Sequence, residues 1–347
     1  MNKGLLFYSG NGNHSLGAKV VDRFSENVGQ KYNFNQIDFG QFPDGESDFR
    51  IPNFLIIKGK TVVFYQSIFN HELFEEALEL IWSLKKQYQA SRLIAVIPFM
   101  IFRRQDHEEK SEEICRLKMG LDRLRHAGVD EIITVAPHSE KLVKFGLDLG
   151  LNIHVIDPSP LFASVVKSSL SIDSTKEKIK VYAPDKGSIP RAVALAQKIN
   201  SSVIFSLKKR GLNNEIEIEP GEESDISKII SKYNSEGFLE IYHVNKENIK
   251  ESYIIMIEDE ISTGTTANKV GCFLKSLGAK KIVFLASHAV LSPGWRRKLI
   301  NNNPFDKIIL GDTIPRDYEK RTGGLIQDIS FADLIAQALS QSLNNLI

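Results

Sequence analysis

The stretch Tyr253-Ile-Ile-Met-Ile-Glu-Asp-Glu-Ile-Ser-Thr-Gly-Thr-Thr266 joins an apolar run, a pair of adjacent acids and a Ser/Thr/Gly turn. The apolarity of Tyr253–Ile257 is continuous rather than alternating, which predicts a strand buried on both faces. Glu258 and Asp259 stand at the carboxyl end of that strand, and the turn after them predicts the start of a helix. A buried strand that leads through a turn into a helix is typical of α/β folds.

The same succession of buried strands and helices extends along the chain. Apolar runs rich in Ile, Val and Phe predict seven further strands, at Leu5–Tyr8, Thr61–Tyr65, Leu93–Ile97, Glu131–Val135, Ile179–Tyr182, Ser202–Phe205 and Lys281–Leu285. Apolar residues at helical spacing predict helices within Glu72–Gln87, Ile114–His126, Pro190–Ile199 and Ala267–Leu277. Two stretches dense in charge, Met100–Glu113 and Lys208–Lys232, predict mobile loops. The order of elements therefore predicts an α/β protein with mainly parallel sheets flanked by helices.

A helix, a glycine, a strand and a histidine follow one another twice in the same register. The helical segment Cys115–Ala127 precedes Gly128-Val-Asp-Glu-Ile-Ile-Thr-Val-Ala-Pro-His138, and Asn268–Leu277 precedes Gly278-Ala-Lys-Lys-Ile-Val-Phe-Leu-Ala-Ser-His288. We interpret this echo as two related α/β domains in tandem, residues 1–156 and 157–347. Similar units occur in many α/β proteins, so a single pair leaves coincidental similarity open.

The composition is that of an ordinary globular protein, with 42% hydrophobic and 25% charged residues in 347. Lysine plus arginine (44) nearly balances aspartate plus glutamate (43), so no overall positive field favours nucleic acid or an anionic membrane as a partner. The only cysteines, Cys115 and Cys272, form no CxxC motif and cannot build a disulfide framework. Neither a signal-peptide pattern nor an apolar run of about 18 residues is present, so we expect a cytoplasmic protein.

The acid pair and the turn of the opening stretch both suit a phosphorylated sugar. The carboxylates of Glu258 and Asp259 can bind ribose hydroxyls or a water-ligated Mg²⁺. The residues from Ser262 to Thr266 can direct backbone N–H groups and hydroxyls toward a phosphate at the helix N-terminus. Ser and Thr also cap many helices, but capping alone does not need two acids before the turn. The arrangement resembles the phosphoribosyl diphosphate (PRPP) signature of type I phosphoribosyltransferases and of PRPP synthetases.

Other segments, in matching order, are similar to PRPP synthetases, which are also called ribose-phosphate diphosphokinases. These segments are Phe42–Glu46, Ile97–Asp106, Tyr182–Gly187, Leu207–Arg210 and Ala286–Ser292. The resemblance implies two tandem type I phosphoribosyltransferase-like domains, a Mg²⁺ requirement and a homo-oligomer, either a dimer or an assembly of dimers, whose subunits help to form each other's active sites. The implied reaction transfers the β,γ-diphosphoryl group of the co-substrate ATP, as Mg·ATP, to the C1 hydroxyl of ribose 5-phosphate, giving PRPP and AMP.

The resemblance also implies a role for each matching residue. The residues expected to contact ATP are Phe42, Asp44, Glu46, Arg104, Gln105 and Asp106. The residues expected to contact the sugar phosphate are Glu258, Asp259, Ser262, Thr263, Gly264, Thr265 and Thr266. Mg²⁺ is expected at His138 and Asp185, and transition-state stabilisation is expected from Lys208 and Arg210.

Five positions depart from the family pattern. Glu258 replaces an aspartate, Ser262 an acid and Thr265 a glycine, while His107 and Ala136 replace a basic and an acidic residue of the ATP site. These changes leave three alternatives open: an enzyme acting on a larger ribose 5-phosphate derivative such as ADP-ribose, a non-catalytic regulatory subunit, and a phosphoribosyltransferase that consumes PRPP. The intact catalytic and metal positions argue against the second, and the third leaves the ATP-site segments unexplained.

Overall fold

The chain divides into two compact units in this computed structural model. The described residues are 4–106, 112–169, 178–210, 216–219, 227–228, 231, 241–316, 318 and 322–344, with the backbone alone described at 169, 207–210 and 216–219. The first unit consists of Met1–Asp157, Asp312–Pro315 and Ser330–Ile347. The second unit consists of Pro158–Gly311 and Arg316–Ile329. His107, one of the five departures, lies outside the described residues.

A parallel sheet of six strands forms the centre of the first unit. The strands of this unit are β1 (Leu5–Ser9), β2 (Phe34–Gln36), β3 (Asp38–Gln41), β4 (Ser47–Arg50), β5 (Thr61–Tyr65), β6 (Arg92–Val96), β7 (Glu131–Val135) and β8 (Asn152–Ile156). The sheet has the order β2-β1-β5-β6-β7-β8 with every neighbouring pair parallel, while β3 and β4 pair as an antiparallel hairpin. All residues of β5 and β7 are buried, which confirms that continuous apolar runs mark strands covered on both faces.

The helices of the first unit present one apolar side to the core. Before the chain enters the second unit they are α1 (His14–Val28), α2 (His71–Trp82), α3 (Arg116–Ala127) and α4 (Lys141–Asp148). In α2 the residues that join the core recur at helical spacing: Leu73, Phe74, Ala77, Leu80 and Ile81. This helix begins where the Asn70 side chain accepts a hydrogen bond from the Leu73 N–H at 2.8 Å.

A parallel sheet of seven strands forms the second unit. The strands of this unit are β9 (Ile179–Ala183), β10 (Ser202–Phe205), β11 (Leu207–Arg210), β12 (Ile216–Glu219), β13 (Ile241–His243), β14 (Tyr253–Ile261), β15 (Lys281–Ala289), β16 (Lys307–Gly311) and β17 (Ile326–Ile329). The sheet order is β13-β10-β9-β14-β15-β16-β17, all parallel. Its helices are α5 (Ser159–Ser169), α6 (Ile189–Ile199), α7 (Lys246–Ile249) and α8 (Thr265–Ser276). The predicted class of two mainly parallel α/β units is confirmed, and within the described ranges no helix is long and apolar enough to cross a membrane.

Part of the charged stretch 208–232, which the sequence predicts to be a loop, forms strands. β11 and β12 pair as an antiparallel hairpin in which Lys208 lies opposite Ile218 and Arg210 opposite Ile216. The alternation Ile216-Glu-Ile-Glu219 is the period of a strand, and the high charge of the region obscures it. In the other predicted loop, the described residues 101–106 form turns and irregular backbone, as expected.

The C-terminal helix α9 (Ala332–Ser342) belongs to the first unit, whereas the sequence interpretation placed residues 157–347 together. Its buried side includes Ile335 and Leu339 and packs against α1. Arg23 of α1 forms an ion pair with Asp333 at 3.1 Å. Burial of apolar area favours the packing of α9 against α1, because α9 would otherwise expose its apolar stripe to water.

Leu339→Ala is expected to lower the free energy of unfolding by about 2–5 kcal/mol, because it removes a fully buried side chain and leaves a cavity. Gln337→Ala, at an exposed position of the same helix, is the matched control and is expected to change it by about 0.5 kcal/mol or less. Denaturant unfolding followed by circular dichroism measures both. Equal small effects would contradict the docking of α9.

Candidate functional site

Strand β14 carries the acid pair beyond the end of its neighbour β9. It pairs with β9 from Tyr253 to Met256 and with β15 from Tyr253 to Ile261, with Glu258 opposite Ala286 and Glu260 opposite His288. The strand therefore runs four residues past the predicted end at Ile257, because β15 continues to offer backbone partners. The acids are thus held by a sheet and stand at its carboxyl edge, where open α/β sheets bind ligands.

Arg191 of α6 lies against both acids. Its Nη1 atom is 3.4 Å from Glu258 Oε2 and 3.4 Å from Asp259 Oδ1. The two carboxylates are mostly buried, with 15% and 7% of their side chains exposed. The local sequence around Arg191 indicates no role for this residue. The contact joins residues 67 and 68 positions apart, a separation that the local pattern does not predict.

The turn after β14 opens α8 as predicted. Gly264 has a left-handed backbone (φ 75°), and a Cβ atom there would lie 2.7 Å from Leu299 Cδ2, so only glycine fits without a shift. The Thr263 hydroxyl accepts a hydrogen bond from the Thr265 N–H at 3.4 Å and donates one to Thr265 Oγ1 at 3.1 Å. The first-turn N–H groups of a helix have no intrahelical acceptor, so this end of α8 is suited to a phosphate.

Ser262 pairs with a hydroxyl where the family pattern has an acid. Its Oγ atom lies 2.8 Å from Ser292 Oγ, on the segment that follows β15. Asn268 of α8 donates a hydrogen bond to the Lys298 carbonyl at 2.7 Å, so the segment from Ser292 to Leu299 borders the turn. A pair of neutral hydroxyls therefore stands where the family pattern has a negatively charged side chain.

The loop after β9 holds Asp185 by a local network. Asp185 Oδ1 accepts a hydrogen bond from the Ser188 N–H at 3.0 Å, and the Ser188 hydroxyl donates to the Asp185 carbonyl at 2.7 Å. Tyr182, at the end of β9, lies 2.7 Å from the Ser206 hydroxyl. Burial raises the pKa of Tyr182, and the negative charges of Glu258 and Asp185 raise this pKa further. The hydroxyl therefore stays protonated between the two acidic positions.

In the first unit, the turn Phe42–Glu46 connects β3 to β4. The Phe42 N–H donates to the Glu46 carbonyl at 2.8 Å, and Asp44 Oδ1 accepts from the Glu46 N–H at 3.2 Å. Gly45 has the left-handed backbone (φ 96°) that such a turn requires. Phe42 is 50% exposed, and the side chains of Asp44 and Glu46 also face solvent. The turn thus presents an aromatic ring and two acids at the tip of a hairpin.

The Arg104–Asp106 segment meets the loop that carries His138. Asp106 is buried, and Ser139 donates its hydroxyl hydrogen bond to Asp106 Oδ2 at 2.5 Å. Arg104, Gln105 and His138 are exposed. The structure therefore brings together, within the first unit, three expected ATP contacts and one expected metal ligand.

The two histidines of the internal echo have different surroundings. β7 ends at Val135, three residues before the exposed His138, whereas β15 continues through His288, which is 1% exposed. His288 thus has the structural role that suits a buried histidine, and His138 has the accessible position. Lys208 and Arg210 lie in β11, of which the structure describes the backbone. This strand begins two residues after the end of β10.

Comparisons with known proteins bear on the family and the fold. A family profile described as the N-terminal domain of ribose phosphate pyrophosphokinase matches residues 5–138, and one described as the phosphoribosyl synthetase-associated domain matches residues 247–346. The ribose-phosphate pyrophosphokinase of Clostridium perfringens is 26% identical over 98% of this chain and 94% of its own length. That of Sulfurisphaera tokodaii is 27% identical over 83% and 87%. The chain belongs to the ribose-phosphate pyrophosphokinase family. The phosphoribosylpyrophosphate synthetase of Mycobacterium smegmatis, 22% identical, shares the fold over 99% of both chains with a TM-score of 0.77.

The Mg²⁺ that the family resemblance implies would find few protein ligands among the described residues. Mg²⁺ in proteins usually binds one or two carboxylates and keeps water and phosphate oxygens as its other ligands. Asp185 supplies a carboxylate, and His138 stands in the other unit. Among the side chains that the structure describes, no cluster of three or more His, Cys, Asp or Glu is placed to hold a metal. A self-sufficient protein cage is therefore not part of the described site.

Asp259→Asn is expected to weaken the binding of ribose 5-phosphate by roughly tenfold or more, because an amide loses the charge and one acceptor oxygen of the carboxylate. ATP binding is expected to change less than about twofold if ATP contacts the first unit. Calorimetric titration with each ligand separately measures both, with the exposed Glu247→Gln as a matched control. Equal losses for the two ligands would contradict the pocket assignment.

Proposed function

We propose that the chain is a ribose-phosphate diphosphokinase that transfers the β,γ-diphosphoryl group of Mg·ATP to the C1 hydroxyl of ribose 5-phosphate, giving PRPP and AMP. The observation that carries this proposal is the arrangement at the end of β14. There a mostly buried acid pair precedes a turn whose glycine adopts a left-handed backbone at the start of α8. Acceptors for sugar hydroxyls and donors for a phosphate thus succeed each other within nine residues, from Glu258 to Thr266.

The acceptor sugar is bound at the carboxyl edge of the second unit. Glu258 and Asp259 accept hydrogen bonds from ribose hydroxyls, and the backbone from Thr263 to Thr266 donates to the 5-phosphate. These contacts fix the ring so that the C1 hydroxyl points at the nucleotide. Such positioning accounts for a large part of the acceleration in phosphoryl-type transfers.

The nucleotide contacts come from the first unit. Phe42 lies against the adenine ring, Asp44 and Glu46 bind the base or ribose, and Arg104, Gln105 and Asp106 form the remaining contacts. An exposed ring at a hairpin tip suits stacking on a base. In the family the neighbouring subunit assists each site, so we propose a homo-oligomer, a dimer or an assembly of dimers, in which this hairpin reaches a partner copy.

Transfer gathers negative charge between the attacking hydroxyl and the AMP leaving group. Lys208 and Arg210, on the hairpin strand after β10, stabilise this charge. Asp185 and His138 would hold a Mg²⁺ at the ATP phosphates, and this ion would neutralise part of the same charge. The C1 oxygen attacks the β-phosphorus in line, its bond to phosphorus forms as the bond to the AMP oxygen breaks, and the hydroxyl proton passes to solvent.

A larger acceptor such as ADP-ribose is the second candidate, and two observations favour it. Ser262 removes a negative charge at the phosphate end of the pocket, which lowers repulsion toward a second phosphate. The segment bordering the turn contains Arg296, Arg297 and Lys298, and for these three the part of the chain that the structure describes shows no carboxylate at ion-pairing distance. Positive charge beside the turn suits a diphosphate.

An assay of the purified full chain with Mg·ATP and either ribose 5-phosphate or ADP-ribose is expected to release AMP with ribose 5-phosphate. Samples without a sugar acceptor measure background hydrolysis. AMP with ADP-ribose alone would replace the acceptor by the larger one. If neither sugar yields AMP above background, the proposed activity is wrong and the regulatory-subunit alternative gains support.

Lys208→Ala and Arg210→Ala are each expected to lower turnover by more than roughly tenfold, because each removes a positive charge from the transition state. Lys209→Ala is the matched control, since residue 209 lies between them in β11 and is assigned no role. Circular dichroism checks that each variant is folded. Unchanged turnover in both variants would remove this strand from the mechanism.

A further inference from the structure

The placement of Arg191 is not explained by the stability of its own helix. Arg191 is the third residue of α6, and the N-terminal end of a helix carries partial positive charge. A cation in the first turn is therefore unfavourable unless anions offset it. Glu258 and Asp259 supply this offset, since both carboxylates lie 3.4 Å from the same Nη1 atom.

Two adjacent carboxylates with little solvent exposure repel each other when both are ionised. A neighbouring guanidinium relieves this repulsion and keeps both groups as acceptors. The position of the guanidinium also affects the binding of a metal ion by the two acids. A divalent cation coordinated directly by either acid would lie within a few ångströms of the guanidinium, and the two positive charges would oppose each other.

We propose that Arg191 is a positioning residue that holds Glu258 and Asp259 as acceptors for sugar hydroxyls and excludes direct coordination of a divalent cation by this pair. The inference rests on the proposed sugar-phosphate site and decides between the two uses that the acid pair permits. It assigns the divalent cation to the phosphates of the nucleotide and to Asp185. The acid pair is thereby reserved for the ribose ring.

Arg191→Gln in the full chain tests both effects without turnover. Calorimetry with ribose 5-phosphate alone is expected to show affinity reduced by about tenfold, with ATP affinity changed less than about twofold. Calorimetry with Mn²⁺ alone is expected to show one more bound ion than in the wild type. The double variant Arg191→Gln/Asp259→Asn is expected to lose this additional ion, which would place the new site at the acid pair.

Arg191→Lys separates charge from shape. A lysine keeps the positive charge but not the planar fork, so we expect it to exclude the additional Mn²⁺ while sugar binding falls less than in the glutamine variant. Lys198→Gln, at an exposed position of the same helix, is the matched control and is expected to change neither measurement. Circular dichroism confirms that all variants are folded.

The proposal is overturned if Arg191→Gln gains no Mn²⁺, or if the lysine variant gains the ion as readily as the glutamine variant. Unchanged affinity for ribose 5-phosphate in Arg191→Gln would overturn it as well. If the wild type itself binds no ribose 5-phosphate, the proposed function fails. The Mn²⁺ titrations then decide the role of Arg191 alone, so the two failures are distinguishable.

Discussion

The burial of parallel strands on both faces is the constraint on which this structure depends. A charged group in such a strand is costly unless it is paired with an opposite charge or lies where the strand extends past a neighbour. β14 satisfies this condition because its pairing with β9 ends at Met256 while its pairing with β15 continues to Ile261. The acid pair lies in the part supported on one side, and Arg191 offsets its charge. A strand whose pairing with one neighbour ends before its pairing with the other thus provides rigid support for polar groups at the sheet edge.

The same constraint explains why the internal echo does not produce two equal sites. In each unit a helix, a glycine and a strand lead toward a histidine. β15 is nine residues long and includes His288 among its buried residues, whereas β7 stops after five and His138 follows in an exposed loop. Strand length therefore decides which histidine is accessible to solvent, and the repeated sequence pattern hides this difference.

The sequence predicts most interior strands because burial dictates their composition, but β16, which lies between β15 and β17, was missed. The limits of β5, β7 and β10 agree with the apolar runs, while β14 and β15 exceed them because their last residues are polar or small. Edge strands such as β2 and β8 were missed, since they are short and partly exposed and carry no continuous apolar run. The place of α9 is equally hidden, because an apolar stripe shows that a helix must be covered but not which surface covers it.

The candidate site was predictable where its chemistry is local in sequence. The acids and the turn follow one another in the chain, so the local sequence is enough to single out Glu258, Asp259 and Gly264 as candidates. Arg191 was missed because its contacts cross the sheet from α6.

The net charge at the carboxyl edge of the second sheet depends on contacts that the sequence pattern does not show. The acid pair shares one guanidinium, and the position that is usually acidic holds a hydroxyl bonded to Ser292. Both features lower the negative charge at the edge of the second sheet. An anionic ligand would consequently meet less repulsion there than the carboxylates alone would produce, while the carboxylate oxygens are retained. The departure at Ser262 thus changes the charge beside the turn after β14 and leaves the acid pair unchanged.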